Sequence, residues 1–129
     1  MGKYKDAEWY IKNSKELTQK YGDIPPPWIY APNIHPYSIG WRMGGGETHM
    51  IILDEWLDEQ DLSFDERVTY LKKYPVPARW YSWIIHFLWE VDSYKFEIPD
   101  YIPYFEKLEE LGFKNTKDFH KDFSREDLD

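Results

Sequence analysis

The sequence predicts a mainly α-helical protein, a compact bundle of five or six helices joined by proline-rich extended connectors. In several segments apolar residues recur every three or four positions, whereas the alternation typical of strands is scarce. The nine prolines cluster between those segments. Since 42% of the residues are hydrophobic and 19% aromatic, the chain can bury a substantial core.

The length of 129 residues fits a single domain, 1–129, which the sequence divides into four parts. These are an N-terminal helix (1–22), a Pro/Gly-rich wrap (23–46), a helical core (47–112) and a C-terminal short helix with an acidic tail (113–129). The first helix is predicted from about Lys3 to Tyr21, and Gly22 is a typical C-terminal stop.

The wrap begins with five prolines in twelve residues, which argues against a helix or a central strand over 23–36. We expect this part to be extended. It is either a rigid wrap that inserts Trp28, Ile29 and Tyr30 into the core or a ligand-binding loop. Residues 37–43 are open to two interpretations, a short strand or hairpin and a turn.

The helical core should contain helices over about 47–60, 64–73 and 78–91, the second opened by the Ser63–Glu66 capping box. Residues 78–91 are the most apolar part and are predicted to be the central helix. Residues 98–103 are predicted as a proline-pinned connector, followed by a helix that ends at Gly112. A last short helix is expected over 114–123, before the acidic tail.

The composition excludes several function classes. Without cysteine there is no disulfide scaffold, thiolate metal site or cysteine nucleophile. No apolar run approaches the roughly 20 residues of a membrane span, and the first residues, MGKYKD, have no apolar signal segment. We therefore expect a cytoplasmic protein that has no membrane association and binds no metal or cofactor.

The net charge is −8, from 24 acidic residues against 16 Lys and Arg. Residues 47–66 hold eight acids and no base. A nucleic-acid groove needs clustered bases, so nucleic acid is disfavoured as a partner and a basic protein is favoured.

The densest acidic run, residues 54–61, indicates an interaction surface, since like charges on neighbouring turns repel and a basic partner would relieve that repulsion. The plainer interpretation is a solvated helix face. Trp56 is either the aromatic hot spot of this surface or a core residue. The predicted binding residues are Arg42, Glu47, Asp54, Glu55, Trp56, Asp58 and Glu59.

The glycine-rich segment 40–47 could cradle a phosphate at a helix N-terminus, but it lacks the Gly-Lys-Ser/Thr ending of a P-loop. The alternative, which we favour, is a tight turn in which Glu47 complements the helix dipole. Arg42 either forms a structural ion pair, with Glu47 for example, or a cation–π contact, or it anchors an anionic ligand.

An alternative site is an aromatic pocket with acid–base groups. His86 and Glu90 stand at i, i+4 on the predicted central helix, and Glu47 and His49 supply a second such pair. Together with Arg42 they would give a small enzyme or ligand-binding protein. The residues of this alternative pocket are Trp28, Trp41, His49, Trp80, Trp83, His86 and Glu90.

Three motifs, PPPW (25–28), GWRMGGGE (40–47) and YPVPARW (74–80), resemble those of small uncharacterised bacterial proteins over about residues 24–83. That resemblance implies no activity and no catalytic residue. In size and acidity the chain is also similar to cytosolic immunity proteins that neutralise toxins. The sequence therefore predicts a non-enzymatic, immunity-like or adaptor module that engages a basic protein through an acidic aromatic surface.

Overall fold

The structure, a computed structural model, describes residues 6–128 and the backbone alone of Tyr94. Over these residues the chain forms seven α-helices and four short 3-10 turns and no strand, which confirms the mainly α class. The short strand or hairpin predicted near 37–43 is wrong. The helices are α1 (Glu8–Tyr21), α2 (Pro27–Tyr30), α3 (Gly44–Gln60), α4 (Phe64–Lys73), α5 (Tyr81–Trp89), α6 (Ile98–Glu110) and α7 (Phe119–Phe123).

The described chain forms two compact units, the first ending at Ser63 and the second beginning at Phe64. This boundary lies inside the part predicted as one helical core, 47–112. The assignment of the chain to a single domain stays a prediction.

Helix α1 ends as the sequence predicts. Gly22 adopts a left-handed conformation, with φ 84°, and its N–H donates to the carbonyl of Thr18. Tyr10 is buried, whereas Ser14 and Leu17 are half-buried. The predicted start at Lys3 lies outside the described residues.

The proline-rich wrap is not extended throughout, because Pro27 begins the short helix α2. The first N–H group of a helix has no intrahelical partner, so a proline at this position loses no hydrogen bond. Its fixed φ also already suits a helix. Trp28 is buried, as the wrap interpretation expects, and Ile29 is half-buried. Tyr30 is instead 43% exposed.

The segment predicted as a strand or turn contains a 3-10 turn, Ile39–Trp41, and Ser38 caps it by accepting a hydrogen bond from the N–H of Gly40. Helix α3 then begins at Gly44, three residues before the predicted start at Glu47. Gly44 has φ 63°, a left-handed conformation that glycine adopts without strain.

In the second unit, the predicted central helix begins as a 3-10 turn, Ala78–Trp80, and continues as α5. Helix α5 ends at Trp89, before the predicted end near 91. The buried residues of this stretch are Ala78, Arg79, Trp80, Tyr81, Ser82, Ile84, Ile85 and Leu88.

The predicted connector at 98–103 is wrong, because these residues form the first half of α6. Pro99 lies in the first turn, where a missing N–H is tolerated, and Pro103 lies inside the helix. Glu97 and Asp100 form a capping box, each accepting a hydrogen bond from the other's backbone N–H. A capped start therefore overrides the two prolines.

The C-terminal segment forms a 3-10 turn, Thr116–Asp118, followed by α7. Phe119 is buried and Phe123 half-buried. The carboxylate of Asp122 accepts a hydrogen bond of 2.8 Å from the backbone N–H of Arg79 and lies 3.4 Å from its guanidinium. This ion pair attaches α7 to the turn that precedes α5.

Candidate functional site

Helix α3 positions most of the predicted binding residues. Its buried side holds His49, Ile52 and Leu53. Because successive residues of an α-helix are about 100° apart, Glu47, Asp54 and Asp58 fall within about 40° of one another on the opposite side. All three are exposed.

We call Glu47, Asp54 and Asp58 the acidic stripe. At about 1.5 Å per residue it is about 16 Å long. The half-buried Ile51 lies between the first two carboxylates on the same side. The acids of the stripe thus share one exposed helix face.

Glu55 was predicted to belong to this surface, but it is only 9% exposed. It lies about 100° round the helix from Asp54, on the side that approaches Tyr10 of α1, and Glu59 follows one turn later. Burial raises the pKa of Tyr10, and the negative charges of Glu59 and Glu55 raise it further. These two acids therefore face α1 and are separate from the stripe.

The last turn of α3 contains no basic residue and holds Asp58 and Glu59. The C-terminal end of a helix carries a partial negative charge, so acids there are unfavourable. Helix α4 shows the usual arrangement, with Asp65 and Glu66 in its first turn and two lysines in its last. The acids at the end of α3 are therefore placed against the helix dipole.

Trp56 is half-buried and lies about 160° from Asp54 around α3. The structure thus places its indole on the side away from the acidic stripe. Arg42 is exposed, and it makes no ion pair with Glu47 among the described residues. Of the seven predicted binding residues, only Glu47, Asp54 and Asp58 share one exposed face.

His49 belongs to the interior of the first unit and is only 2% exposed. Its Nε2 lies 2.8 Å from the carbonyl oxygen of Pro25, and its ring stacks on Tyr30 with centroids 4.2 Å apart. Burial lowers the pKa of His49. The imidazole is thus held by two residues of the proline-rich segment, a contact that no sequence spacing indicated.

The alternative pocket divides between the two units. Trp28, Trp41 and His49 belong to the first unit, and Trp80, Trp83, His86 and Glu90 to the second. Trp28, Trp41 and Trp80 are buried, and Trp83 is half-buried and stacked on a neighbouring phenylalanine.

His86 and Glu90 are both exposed but have different partners. His86 Nδ1 lies 2.9 Å from the carbonyl of Val91, and the carboxylate of Glu90 lies 3.8 Å from the guanidinium of Arg67. Glu90 is in a left-handed conformation after the end of α5, which takes it off the helix. The predicted i, i+4 acid–base pair is therefore not formed.

Over residues 6–128, no group of three or more His, Asp or Glu side chains is arranged to hold a metal ion. Nor does any helix of this range combine the length and apolarity needed to cross a bilayer. Comparison with protein-family models, curated proteins and solved structures gave no match.

Proposed function

We propose that the protein is a non-enzymatic, immunity-like or adaptor module that binds a basic protein through the acidic stripe, Glu47, Asp54 and Asp58. The observation that supports this most directly is the common exposed face of these three carboxylates on α3. Residues 47–66 contain eight acids and no lysine or arginine. A basic partner is the occupant that matches this surface in charge.

The electrostatics at the end of α3 support the same proposal. Acids in the last turn oppose the helix dipole, and Asp54 and Asp58 are like charges at i, i+4; each effect destabilises a helix by a few tenths of a kcal/mol. A positive charge brought to this end of α3 is favoured by both effects.

The stripe also sets the geometry of the partner. The carboxylates stand at i, i+7 and i+11, with Ile51 at i+4. A helix with lysines at i, i+4, i+7 and i+11 presents charges along about 16 Å of one face. This spacing is the same whether the partner helix runs parallel or antiparallel to α3. We therefore expect the partner to offer a row of bases on one helix face, with an apolar contact to Ile51.

Binding is measured by fluorescence anisotropy with two labelled synthetic peptides. The row peptide is a helix with lysines at i, i+4, i+7 and i+11, and the second peptide has the same composition in scrambled order. Neutralisation of the stripe by Glu47→Gln, Asp54→Asn and Asp58→Asn should weaken binding of the row peptide about tenfold, because each exposed ion pair contributes about 0.5 kcal/mol. Raising the salt from about 0.01 M to about 0.15 M should weaken it as well.

The matched control variant removes the same charge elsewhere, by Glu106→Gln, Glu110→Gln and Glu126→Gln, three exposed acids of the second unit. It should bind the row peptide as the unchanged protein does. Equal losses in both variants would show that net charge alone acts, and equal affinity for the scrambled peptide would show that the stripe has no directional role. Either result, or no binding at low salt, would refute the proposal.

A further inference from the structure

The first unit contains a cleft, lined by residues of α1, α2 and α3, with a volume of about 460 Å³. Clefts of about 300–1,000 Å³ are the size that holds small organic molecules in proteins. The side of α3 that lines it holds His49 and Ile52, roughly opposite the acidic stripe. The cleft is therefore a different surface from the one in the proposed function.

The lining combines apolar and polar groups. Leu17 of α1 and Ile52 of α3 give an apolar surface, and one face of α1 adds Asn13, Glu16 and Lys20 at i, i+3 and i+7. The lining therefore mixes apolar surface with polar groups from α1 and α3, as sites that orient a small ligand do.

One polar atom of the lining is buried and has no hydrogen-bond partner, His49 Nδ1. The other ring nitrogen, Nε2, lies 2.8 Å from the carbonyl of Pro25. A carbonyl oxygen only accepts hydrogen bonds, so Nε2 carries the proton and Nδ1 presents a lone pair. Buried acceptors without a donor are rare in folded proteins and destabilise them.

The orientation of this lone pair is fixed by two contacts. The bond to Pro25 sets one edge of the imidazole, and the stacked ring of Tyr30, with planes only 11° apart, fixes its plane. Tyr30 itself lines the cleft. A Cβ added at Gly45 would stand 3.0 Å from the Tyr30 hydroxyl, so a glycine at this position leaves room for the Tyr30 side chain. The position and plane of this acceptor are therefore fixed before a donor arrives.

We propose that this cleft binds a small, mainly apolar molecule with a single O–H or N–H donor, and that His49 Nδ1 accepts the hydrogen bond from that donor. Leu17 and Ile52 contact the apolar body of the ligand. A phenol is the simplest molecule of this class.

Phenol and anisole are the probes, since they share the ring and differ in that anisole has no O–H. Each is titrated into the ¹⁵N-labelled protein, with the His49 Nδ1 shift and the amide shifts of α1 and α3 as readouts. Phenol should saturate with a millimolar Kd and move the Nδ1 resonance. Anisole should bind about tenfold more weakly, because it leaves the acceptor unpaired.

Two variants isolate the role of the imidazole. His49→Phe should abolish the preference for phenol over anisole. The hydroxyl of Thr48 already donates to the carbonyl of Gly44 over 3.2 Å. The variant Thr48→Val should therefore retain the preference. Should His49→Phe fail to fold, the comparison of phenol with anisole in the unchanged protein still decides.

Equal affinities for the two probes, no saturable shift, or shifts confined to residues outside the cleft would overturn this inference. The variant with a neutralised acidic stripe should bind phenol unchanged. Loss of peptide binding and loss of phenol binding are thus separable results.

Discussion

Gly46→Ala should destabilise the protein strongly, although alanine is the better helix former. Gly46 is buried in the first turn of α3, where the helix packs on the 3-10 turn that contains Gly40 and Trp41. A Cβ added there would lie 2.9 Å from the carbonyl carbon of Gly40, closer still to its oxygen, and 3.3 Å from the Cα of Trp41. All three of these atoms belong to the backbone.

The backbone of that turn is anchored, so it cannot easily move away. The N–H of Gly40 donates to the hydroxyl of Ser38 over 3.1 Å, and the indole N–H of Trp41 donates to the carbonyl of His35 over 3.0 Å. Overpacking of a tight site costs about 1–3 kcal/mol and sometimes more, whereas the gain in helix propensity is at most about 1 kcal/mol. We expect a net loss of about 3 kcal/mol for Gly46→Ala, given contact with backbone on the far side.

Urea unfolding followed by far-UV circular dichroism measures this loss. Two neighbouring glycines give controls. A Cβ at Gly45 meets only the hydroxyl at the end of the Tyr30 side chain, so Gly45→Ala should stay within about 1 kcal/mol of the unchanged protein. At Gly44 there is open space but φ is 63°, so Gly44→Ala should cost about 1 kcal/mol through strain alone. If Gly46→Ala were no less stable than Gly44→Ala, the close approach of α3 to the 3-10 turn would be refuted.

Two further predictions concern ionisable groups of the first unit. Burial lowers the pKa of His49 below its ordinary value of 6.5, so the unfolded chain takes up this proton first as the pH falls. Stability should therefore decline as the pH drops below about 6.5, and His49→Gln should remove that part of the decline. The measurement is the difference between the urea midpoints at about pH 7.5 and pH 5.5. An equal difference in the variant and the unchanged protein would contradict the prediction. Glu59→Gln should lower the pKa of Tyr10, observed by NMR titration of the assigned Tyr10 ring carbon, because a nearby negative charge is removed. It should also raise stability by about 0.5 kcal/mol, since the acid stands at the negative end of α3. An unchanged pKa of Tyr10 would show that Glu59 does not face it.

The helices that the sequence predicted correctly are those in which apolar spacing and end signals agree. Gly22 ends α1 as expected, and α4 begins at Phe64, directly after Ser63, the first residue of the predicted capping box. In such segments the local preference and the packed face point to the same structure. Spacing and caps were therefore enough.

The errors lie where proline has two meanings. Pro27 and Pro99 were taken as evidence against helices, yet each stands in the first turn of one. Proline breaks a helix in its interior and favours one at its start. The sequence alone does not say which of these positions a given proline occupies. The capping box of Glu97 and Asp100 is the signal that could have identified the start of α6.

The sequence predicted the negative charge of the site but not which of its acids face the solvent. Negative residues over 47–66 are evident from composition, and helical spacing groups Glu47, Asp54 and Asp58. The burial of Glu55 depends on its approach to α1, which is a contact between segments far apart in the chain. Such contacts are set by packing, and no spacing within α3 encodes them.

One helix carries both proposed surfaces, and its geometry makes them independent. The acidic stripe and His49 lie about 140–180° apart around α3, because the residue numbers place them on opposite sides. A charge change on the stripe is in water, where salt screens it over about 10 Å, whereas the ring of His49 is buried against Pro25 and Tyr30. Substitutions on one side should therefore leave the other unchanged, and a coupling between peptide and phenol binding would require α3 itself to move.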